Sequence, residues 1–354
     1  FLILYLVISA AVVTAQRRIS VNGTGGFLIA HRKGMEGFVK GHTKGIELTF
    51  EKAFTGSASW HGKYRFPSVG LALGFLDPGN PAQLGKAISL TPYMRLPLSS
   101  KNDHLSFRFG LGLGILTKSY DQKDNHKNIA IGSAGNASII LGFWYKTPLG
   151  KNAAMQTGIQ LQHFSNGAFK TPNLGINLPL LSLGVQFGNQ KKVQLSEVEI
   201  IPESTEPDRA AKYYISPRFG LKELFITGAN KYPTYTLHLS RVRRLSNKYS
   251  FTCFADVMYN SSLEEEMAYR NIRLPHRADY MQIGAGAGME NHYGNFAVYL
   301  QMAAYLYSKQ PETGIFYHRL GVKQNVGRSG YVSFGIKSHF ATADYLELGC
   351  GIKL

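Results

Sequence analysis

A strict alternation of apolar with small or polar residues is the feature that most limits what this chain can fold into. In residues 105–115 the odd positions are Leu, Phe or Ile, and the even positions are Ser, Arg or Gly. The same period of two recurs at residues 281–290 and 331–337, and further candidate strands follow along the chain. Because successive side chains of a strand point to opposite faces of its sheet, this pattern predicts strands with one apolar face.

The composition excludes several other classes of protein. The chain has 354 residues, 44% of them hydrophobic, with 38 glycines and a net charge of +17. Disorder requires low hydrophobicity, which this chain does not have. Two cysteines are too few for a disulfide scaffold or a multi-cysteine zinc site. No apolar run reaches the roughly 18 residues that a transmembrane helix needs. We therefore expect an all-β protein with a basic surface.

The first 15 residues are interpreted as a signal peptide. Residues 1–15 are almost entirely apolar and end with the small residues Val13-Thr14-Ala15, before Gln16-Arg17-Arg18. An apolar stretch of this length followed by small residues is typical of a segment removed after export. The run has no initiator Met and no basic start, so we expect a few residues to precede it. The mature protein is expected to begin near Gln16.

Strands of about ten residues with one apolar face are compatible with a soluble β-protein or an outer-membrane barrel. Export favours the membrane barrel, and so do glycines on the inner faces and aromatic residues near strand ends, as interfacial girdles require. The aromatic residues in question are Tyr93, Trp144, Tyr145, Tyr213, Tyr214, Tyr305 and Tyr307. We expect an antiparallel outer-membrane β-barrel of about 14 to 16 strands, with two tandem eight-stranded barrels as the alternative.

The chain divides into two halves around a polar segment. Residues 189–211 contain two prolines and a cluster of acids, and they are interpreted as a linker or long turn. Residues 16–188 form a first barrel half with a chemically distinctive motif. Residues 212–354 form a second half to which the sequence assigns no role.

The segment 155–165 breaks its own alternation in a way that suggests chemistry. Its odd positions begin as an apolar face, and continuing the period places His163 and Ser165 on that same face. A Ser and a His two residues apart on one strand face can form a nucleophile and base pair. Alternatively, the strand ends at Leu161 or one residue later, so that His163 and Ser165 belong to a polar loop that turns at Asn166-Gly167.

The stretch from His163 to Asn177 resembles the active-site hairpin of the lipid A 3-O-deacylase (PagL) family. The matching pattern is His-x-Ser-Asn, followed by Lys170, Pro172-Asn173 and Gly175. The resemblance implies an outer-membrane serine esterase in which Ser165 attacks an ester carbonyl and His163 accepts its proton. It also implies that Asn173, together with Asn166, donates hydrogen bonds to the developing oxyanion.

The sequence departs from the family at the third catalytic position. The family has a Glu shortly after the Pro-Asn-x-Gly, where this chain has Asn177, and residues 167–189 contain no Asp or Glu. An Asn can orient a His tautomer, but it cannot stabilise an imidazolium by charge. The missing Glu leaves a non-catalytic barrel, porin-like or structural, as one competing interpretation, and a phospholipase-type lipid hydrolase is another.

The remaining predictions concern ligands. We expect lipopolysaccharide, through its lipid A, and outer-membrane lipid as partners, with Lys170 as a candidate contact to an anionic group. We expect no metal, since the histidines show no ligand spacing with Cys or carboxylates, and no cofactor. We expect no nucleic-acid partner, since the barrel is exported and the sequence has no basic and aromatic motif for one. Both Cys253 and Cys350 share the parity of apolar positions and are expected to be unpaired. The oligomeric state, and the acyl chain that is removed, do not follow from the sequence.

Overall fold

A computed structural model describes residues 16–54, 58–99, 103–190, 208–224, 230–273, 275–309, 314–340 and 342–354. The predicted signal peptide and residues 191–207 of the predicted linker lie outside these residues. The described part of the first half contains eight antiparallel strands: β1 (Gln16–Gly26), β2 (Thr43–Ala53), β3 (Ser68–Asp77), β4 (Ala87–Pro97), β5 (Leu105–Leu116), β6 (Gly135–Pro148), β7 (Ala153–Ser165) and β8 (Ile176–Gly188).

The second half also contains eight antiparallel strands in its described residues. They are β9 (Lys212–Glu223), β10 (Lys231–Arg244), β11 (Tyr249–Asn260), β12 (Met281–Tyr293), β13 (Phe296–Tyr307), β14 (Phe316–Val326), β15 (Gly330–His339) and β16 (Thr342–Lys353). The described residues also form two short α-helices, α1 (Ser59–Lys63) and α2 (Leu263–Tyr269), and two 3₁₀ turns (Glu36–Phe38 and Arg277–Tyr280), all between strands. None of the described helices is long and apolar enough to cross a membrane.

The strands close into two barrels of eight. This is the alternative that the sequence analysis left open, and the single barrel of about 14 to 16 strands is wrong. In the first barrel β8 pairs with β1, with Gly188 opposite Arg18 and Leu180 opposite Gly26. In the second barrel β16 pairs with β9. Hydrophobic periodicity indicates which face of a strand points outward. The same periodicity is expected for one large barrel and for two barrels of eight strands. The choice depends on which edges pair, which the alternation does not encode.

Both barrels carry their apolar side chains on the outside. In the first barrel Ile159 is 67% exposed and Leu113 is 67% exposed, while the residues beside them in the chain point inward. In the second barrel Met302 and Leu348 are each 61% exposed. A continuous apolar outer wall is typical of barrels that lipid surrounds, and it is unusual for a protein in water.

The predicted aromatic girdle is correct for only part of its members. Tyr145 and Tyr213 project outward, each about half exposed. In contrast, Tyr93 and Trp144 lie inside the first barrel, where the guanidinium of Arg108 stacks 5.0 and 4.4 Å from their ring centroids. The reason is parity, since Trp144 alternates with outward-facing Tyr145 and therefore points into the lumen.

Charged side chains paired with one another fill the lumen of the first barrel. Arg108 forms a bidentate ion pair with Glu47, at 2.9 and 2.8 Å, and also donates to Gln160. Glu51 pairs with Arg95 at 2.9 Å and accepts a hydrogen bond from the Tyr93 hydroxyl at 3.1 Å. Buried charges are tolerated when they are paired and hydrogen-bonded in this way.

An apolar cluster closes one end of the first barrel. It includes Phe164 of β7 and Ile176 and Leu178 of β8, all fully buried, and it packs against Met35, Leu84 and Ile131 of the connections at that end. Interiors packed in this way fix side-chain positions within a narrow range. The ends of β7 and β8, where the sequence motif lies, are therefore held in place from the inside.

Ion pairs also fill the lumen of the second barrel. Arg319 contacts Asp256 and pairs with Glu347 at 2.9 Å, and Arg218 pairs with Glu347 at 2.7 Å. A second cluster joins Lys222 and Lys337 to Asp344, at 2.9 and 2.7 Å. The two cysteines, Cys253 and Cys350, are free and exposed on the outer wall, as their parity predicts.

Candidate active site

The motif residues lie where β7 and β8 begin to separate at one end of the first barrel. Strand β7 continues to Ser165, which pairs with Ala137 of β6, so the alternative in which the strand ends near Leu161 is wrong. In the pairing of β7 with β8, His163 stands directly opposite Asn177. Phe164 points into the apolar cluster, which leaves His163 on the outward-facing side of the wall.

A short hydrogen bond joins His163 to Asn177. The distance from Nδ1 of His163 to Oδ1 of Asn177 is 2.6 Å. An amide oxygen can only accept, so Nδ1 carries the proton in this contact. In a neutral imidazole the other nitrogen, Nε2, is then an acceptor and can take a proton from a hydroxyl. This tautomer is the one that a general base behind a serine requires.

Gly175 allows the His163 ring to lie where it does. Its φ of +80° is in the left-handed region, which L-residues other than glycine rarely adopt. A Cβ built on Gly175 would lie 2.9 Å from Cε1 of His163, which is closer than carbon atoms in contact allow. Position 175 therefore requires glycine for two reasons: the left-handed backbone conformation and the space that the imidazole of His163 occupies.

Asn173 connects to the Ser165 hydroxyl. Its Nδ2 donates to Oγ of Ser165 at 2.9 Å, and its Oδ1 accepts from the backbone N–H of Asn166 at 3.2 Å. A backbone N–H can only donate, so it fixes the amide of Asn173 with the NH₂ group toward Ser165. The side chain of Asn166 in turn donates to Oγ of Ser133 at 2.9 Å. The structure thus places an oriented hydrogen-bond donor beside the candidate nucleophile.

His31 is a site residue that sequence reasoning missed. It follows β1 and lies behind Asn177, whose Nδ2 is 3.1 Å from Nδ1 of the ring. The other ring nitrogen of His31, Nε2, is 3.1 Å from the carbonyl oxygen of Leu174. Closure of the barrel between β1 and β8 brings it to the motif across more than 140 positions of sequence, and no local pattern signals that contact.

The other predicted site residue, Lys170, is exposed in the turn that follows β7. An exposed ammonium at the end of a barrel can contact an anionic group, and this role stays a prediction. Among the described residues, no group of three or more His, Cys, Asp or Glu side chains could hold a metal ion.

The fold indicates the class of protein, and matches to two family models identify the family. A closed antiparallel barrel with an apolar outer wall is the architecture of β-barrel membrane proteins. A family model described as lipid A 3-O-deacylase (PagL) matches residues 44–188, and one described as acyloxyacyl hydrolase, C-terminal domain, matches residues 211–354. The chain belongs to the lipid A 3-O-deacylase (PagL) family. Membership supports ester hydrolysis as its reaction in general and lipid A as its substrate.

The second match gives residues 212–354 a family assignment that the sequence did not provide. They match the model described as acyloxyacyl hydrolase, C-terminal domain, and their described strands form the second barrel. The first match ends at residue 188, directly before the segment interpreted as a linker, and the second begins at residue 211, the last residue of that segment.

Solved structures similar to this chain are porins and other outer-membrane proteins, at a very low level of similarity. The KdgM porin is 7% identical with a TM-score of 0.19, over 95% of this chain and 99% of that one. The outer membrane protein Omp33 of Acinetobacter baumannii is 7% identical with a TM-score of 0.19, over 96% and 99% of the two chains. Such values carry no argument about fold or function. Among curated proteins, none matches this chain.

Proposed function

We propose that this protein is a serine esterase of the outer membrane that removes an ester-linked acyl chain from the lipid A of lipopolysaccharide. The observation that carries the proposal is the 2.6 Å hydrogen bond from His163 to Asn177 on the outward-facing wall. It prepares Nε2 as a base on the same strand face as Ser165. The apolar outer wall of the same barrel supports a lipid as the substrate of that face.

In the proposed reaction, Nε2 of His163 removes the proton of the Ser165 hydroxyl as Oγ attacks the ester carbonyl carbon. The bond between the carbonyl carbon and the alcohol oxygen of the ester then breaks, and the protonated imidazole returns its proton to that leaving oxygen. Water hydrolyses the acyl-serine in a second step with the same base. The products are a free fatty acid and lipid A with one acyl chain fewer.

Charge that develops on the carbonyl oxygen is stabilised by the NH₂ group of Asn173, which lies beside Ser165 in the resting state. Asn166 contributes through its backbone N–H, which orients Asn173. Lys170 is exposed on the same turn, where we assign it to a phosphate of lipid A. Residues 1–15 direct export.

The proposal is tested by mass spectrometry of lipid A from cells that express the wild-type chain, Ser165→Ala or Ser182→Ala. Ser182 is the matched control, because it is buried in the lumen and its hydroxyl has no hydrogen-bond partner among the described residues. The wild type and Ser182→Ala are expected to remove one acyl chain, and Ser165→Ala is expected to remove none while its barrel stays folded. Deacylation by Ser165→Ala would refute the assignment.

A further inference from the structure

A chain of hydrogen bonds extends behind His163 and ends at a backbone carbonyl. It runs from Nδ1 of His163 to Oδ1 of Asn177 at 2.6 Å, and from Nδ2 of Asn177 to Nδ1 of His31 at 3.1 Å. It then runs from Nε2 of His31 to the carbonyl oxygen of Leu174 at 3.1 Å. Every member except the carbonyl can exist in two orientations or two tautomers.

The carbonyl of Leu174 determines the orientation of all the others. A carbonyl oxygen only accepts, so Nε2 of His31 must carry a proton to bond with it. In the neutral ring Nδ1 is then an acceptor, and the neighbouring amide of Asn177 must present its NH₂ group to it. The amide oxygen consequently faces His163, whose Nδ1 must donate. The tautomer of His163 is thus determined by His31 and the carbonyl of Leu174, through the amide of Asn177.

The opposite arrangement disables the base. If the amide of Asn177 were flipped, its NH₂ group would donate to Nδ1 of His163, which would shift the proton of that ring to Nε2. A protonated Nε2 cannot accept the proton of Ser165. A carboxylate has no such ambiguity, because both of its oxygens accept. The Asn in place of the family's Glu therefore creates a need for orientation that the Glu does not have.

One contact competes with this arrangement. The carbonyl oxygen of Ile29 lies 3.3 Å from Nδ1 of His31 and would attract a proton there. That oxygen already accepts the backbone N–H of His31 at 3.1 Å, and its distance to Nδ1 is the longest of the contacts that the ring makes. The contacts at 3.1 Å to Asn177 and Leu174 favour the first arrangement.

We propose that His31 is a positioning residue of this enzyme, which holds Asn177 with its amide oxygen toward His163 and so selects the basic tautomer of His163. This inference rests on the proposed function, in which His163 is the general base. His31 does not touch the substrate. Its role is to supply the orientation that a carboxylate at position 177 would make unnecessary.

The test is a double-variant cycle with purified protein in detergent micelles and lipid A as substrate. His31→Phe keeps the ring but removes both nitrogens, and it is measured in the wild type and in Asn177→Asp. A hydrogen bond of ordinary net strength biases a two-state equilibrium by about two- to twelvefold. We therefore expect His31→Phe to lower kcat by about that factor in the wild type, with KM unchanged, and by less than twofold in Asn177→Asp.

Two further measurements separate positioning from a structural role. His31→Gln carries one acceptor and one donor at its end, so it is expected to recover most of the activity that His31→Phe loses. In ¹⁵N-histidine-labelled protein, part of the His163 population is expected to shift from the Nδ1–H to the Nε2–H tautomer in His31→Phe, in proportion to the loss of kcat. An equal loss of kcat in both backgrounds, or an unchanged tautomer, would overturn the proposal.

Failure of the proposed function is distinguishable from failure of this inference. If neither the wild type nor Asn177→Asp deacylates lipid A, the proposed function is wrong. The nitrogen shifts of His163 in the wild type and in His31→Phe still decide whether His31 selects the tautomer. If both proteins are active and His31→Phe matches its parent in each, the function stands and the inference is wrong.

Discussion

Replacing Asn177 by Asp is expected to make the enzyme faster. The substitution keeps the shape of the side chain, so an oxygen stays 2.6 Å from Nδ1 of His163. When His163 takes the proton of Ser165 it becomes an imidazolium, and its bond to position 177 becomes charge-assisted on both sides. In the wild type the imidazolium donates to a neutral amide, so that bond is charged on one side only. Hydrogen bonds to charged groups contribute about 1.5–3 kcal/mol, against about 0.5–1.5 kcal/mol for neutral pairs, and we take the second charge to add as much as the first.

The difference, about 1–1.5 kcal/mol, corresponds to an increase in kcat of about five- to twelvefold. A direct Coulomb estimate is larger, about 4 kcal/mol at 4 Å with an effective dielectric constant of 20. We take it as an upper bound, because a carboxylate on this wall also loses part of its hydration. The tautomer is already correct in the wild type, so the gain is much smaller than the effect of repairing a wrong tautomer.

The assay is release of fatty acid from lipid A in micelles, followed by mass spectrometry over time. Asn173→Asp is the matched control, because the same change of NH₂ to oxygen beside Ser165 removes an oxyanion donor and adds negative charge there. Loss of one such donor lowers kcat by about 10²–10³. The two substitutions are therefore expected to act in opposite directions. A fall in kcat for Asn177→Asp comparable to that for Asn177→Ala would refute the reasoning.

Two further substitutions test the geometry of the site and the surroundings of the barrel. Gly175→Ala is expected to lower kcat by about 10², because its Cβ would displace the imidazole of His163 by an appreciable fraction of an ångström. The control is Gly150→Ala, where φ is also unfavourable at +151° but a Cβ would have no heavy atom within 4 Å, and it is expected to keep full activity. Equal losses of kcat in the two variants would contradict this explanation. Ile159→Arg places a charge on the exposed outer wall and is expected to cost up to about 2–4 kcal/mol of stability in a bilayer, measured by denaturant titration in vesicles. A change within about 0.5 kcal/mol, as for an ordinary surface position in water, would show that this wall does not face lipid.

The sequence predicted the strands and the facing of the site because both follow from a period of two. Parity placed His163 on the outer wall, and the structure has it there, opposite Asn177. The same rule places Trp144 in the lumen, where the structure has it, whereas its proximity to a strand end predicts the membrane interface. Alternation was thus a better guide than position along the strand.

What the sequence could not provide depends on contacts between distant parts of the chain. Closure of eight strands into each barrel rests on the pairing of β1 with β8, and of β9 with β16, which no local pattern encodes. The same closure carries His31 to Asn177. Its only sequence signal was that of an isolated histidine, and its function became visible only with the hydrogen-bond geometry.

The filled lumens support the proposed location of the catalytic site on the outer wall. In the first barrel the ion pair of Glu47 with Arg108 occupies the interior, and in the second Arg319 and Glu347 do the same. A porin requires a water-filled channel, so this packing argues against the porin-like interpretation. It also means that a lipid substrate can approach only from the outer wall.

On such a wall a neutral Asn177 costs less to desolvate than a carboxylate would. The hydrogen-bond chain through His31 then supplies the orientation, though not the charge, that the carboxylate would have provided.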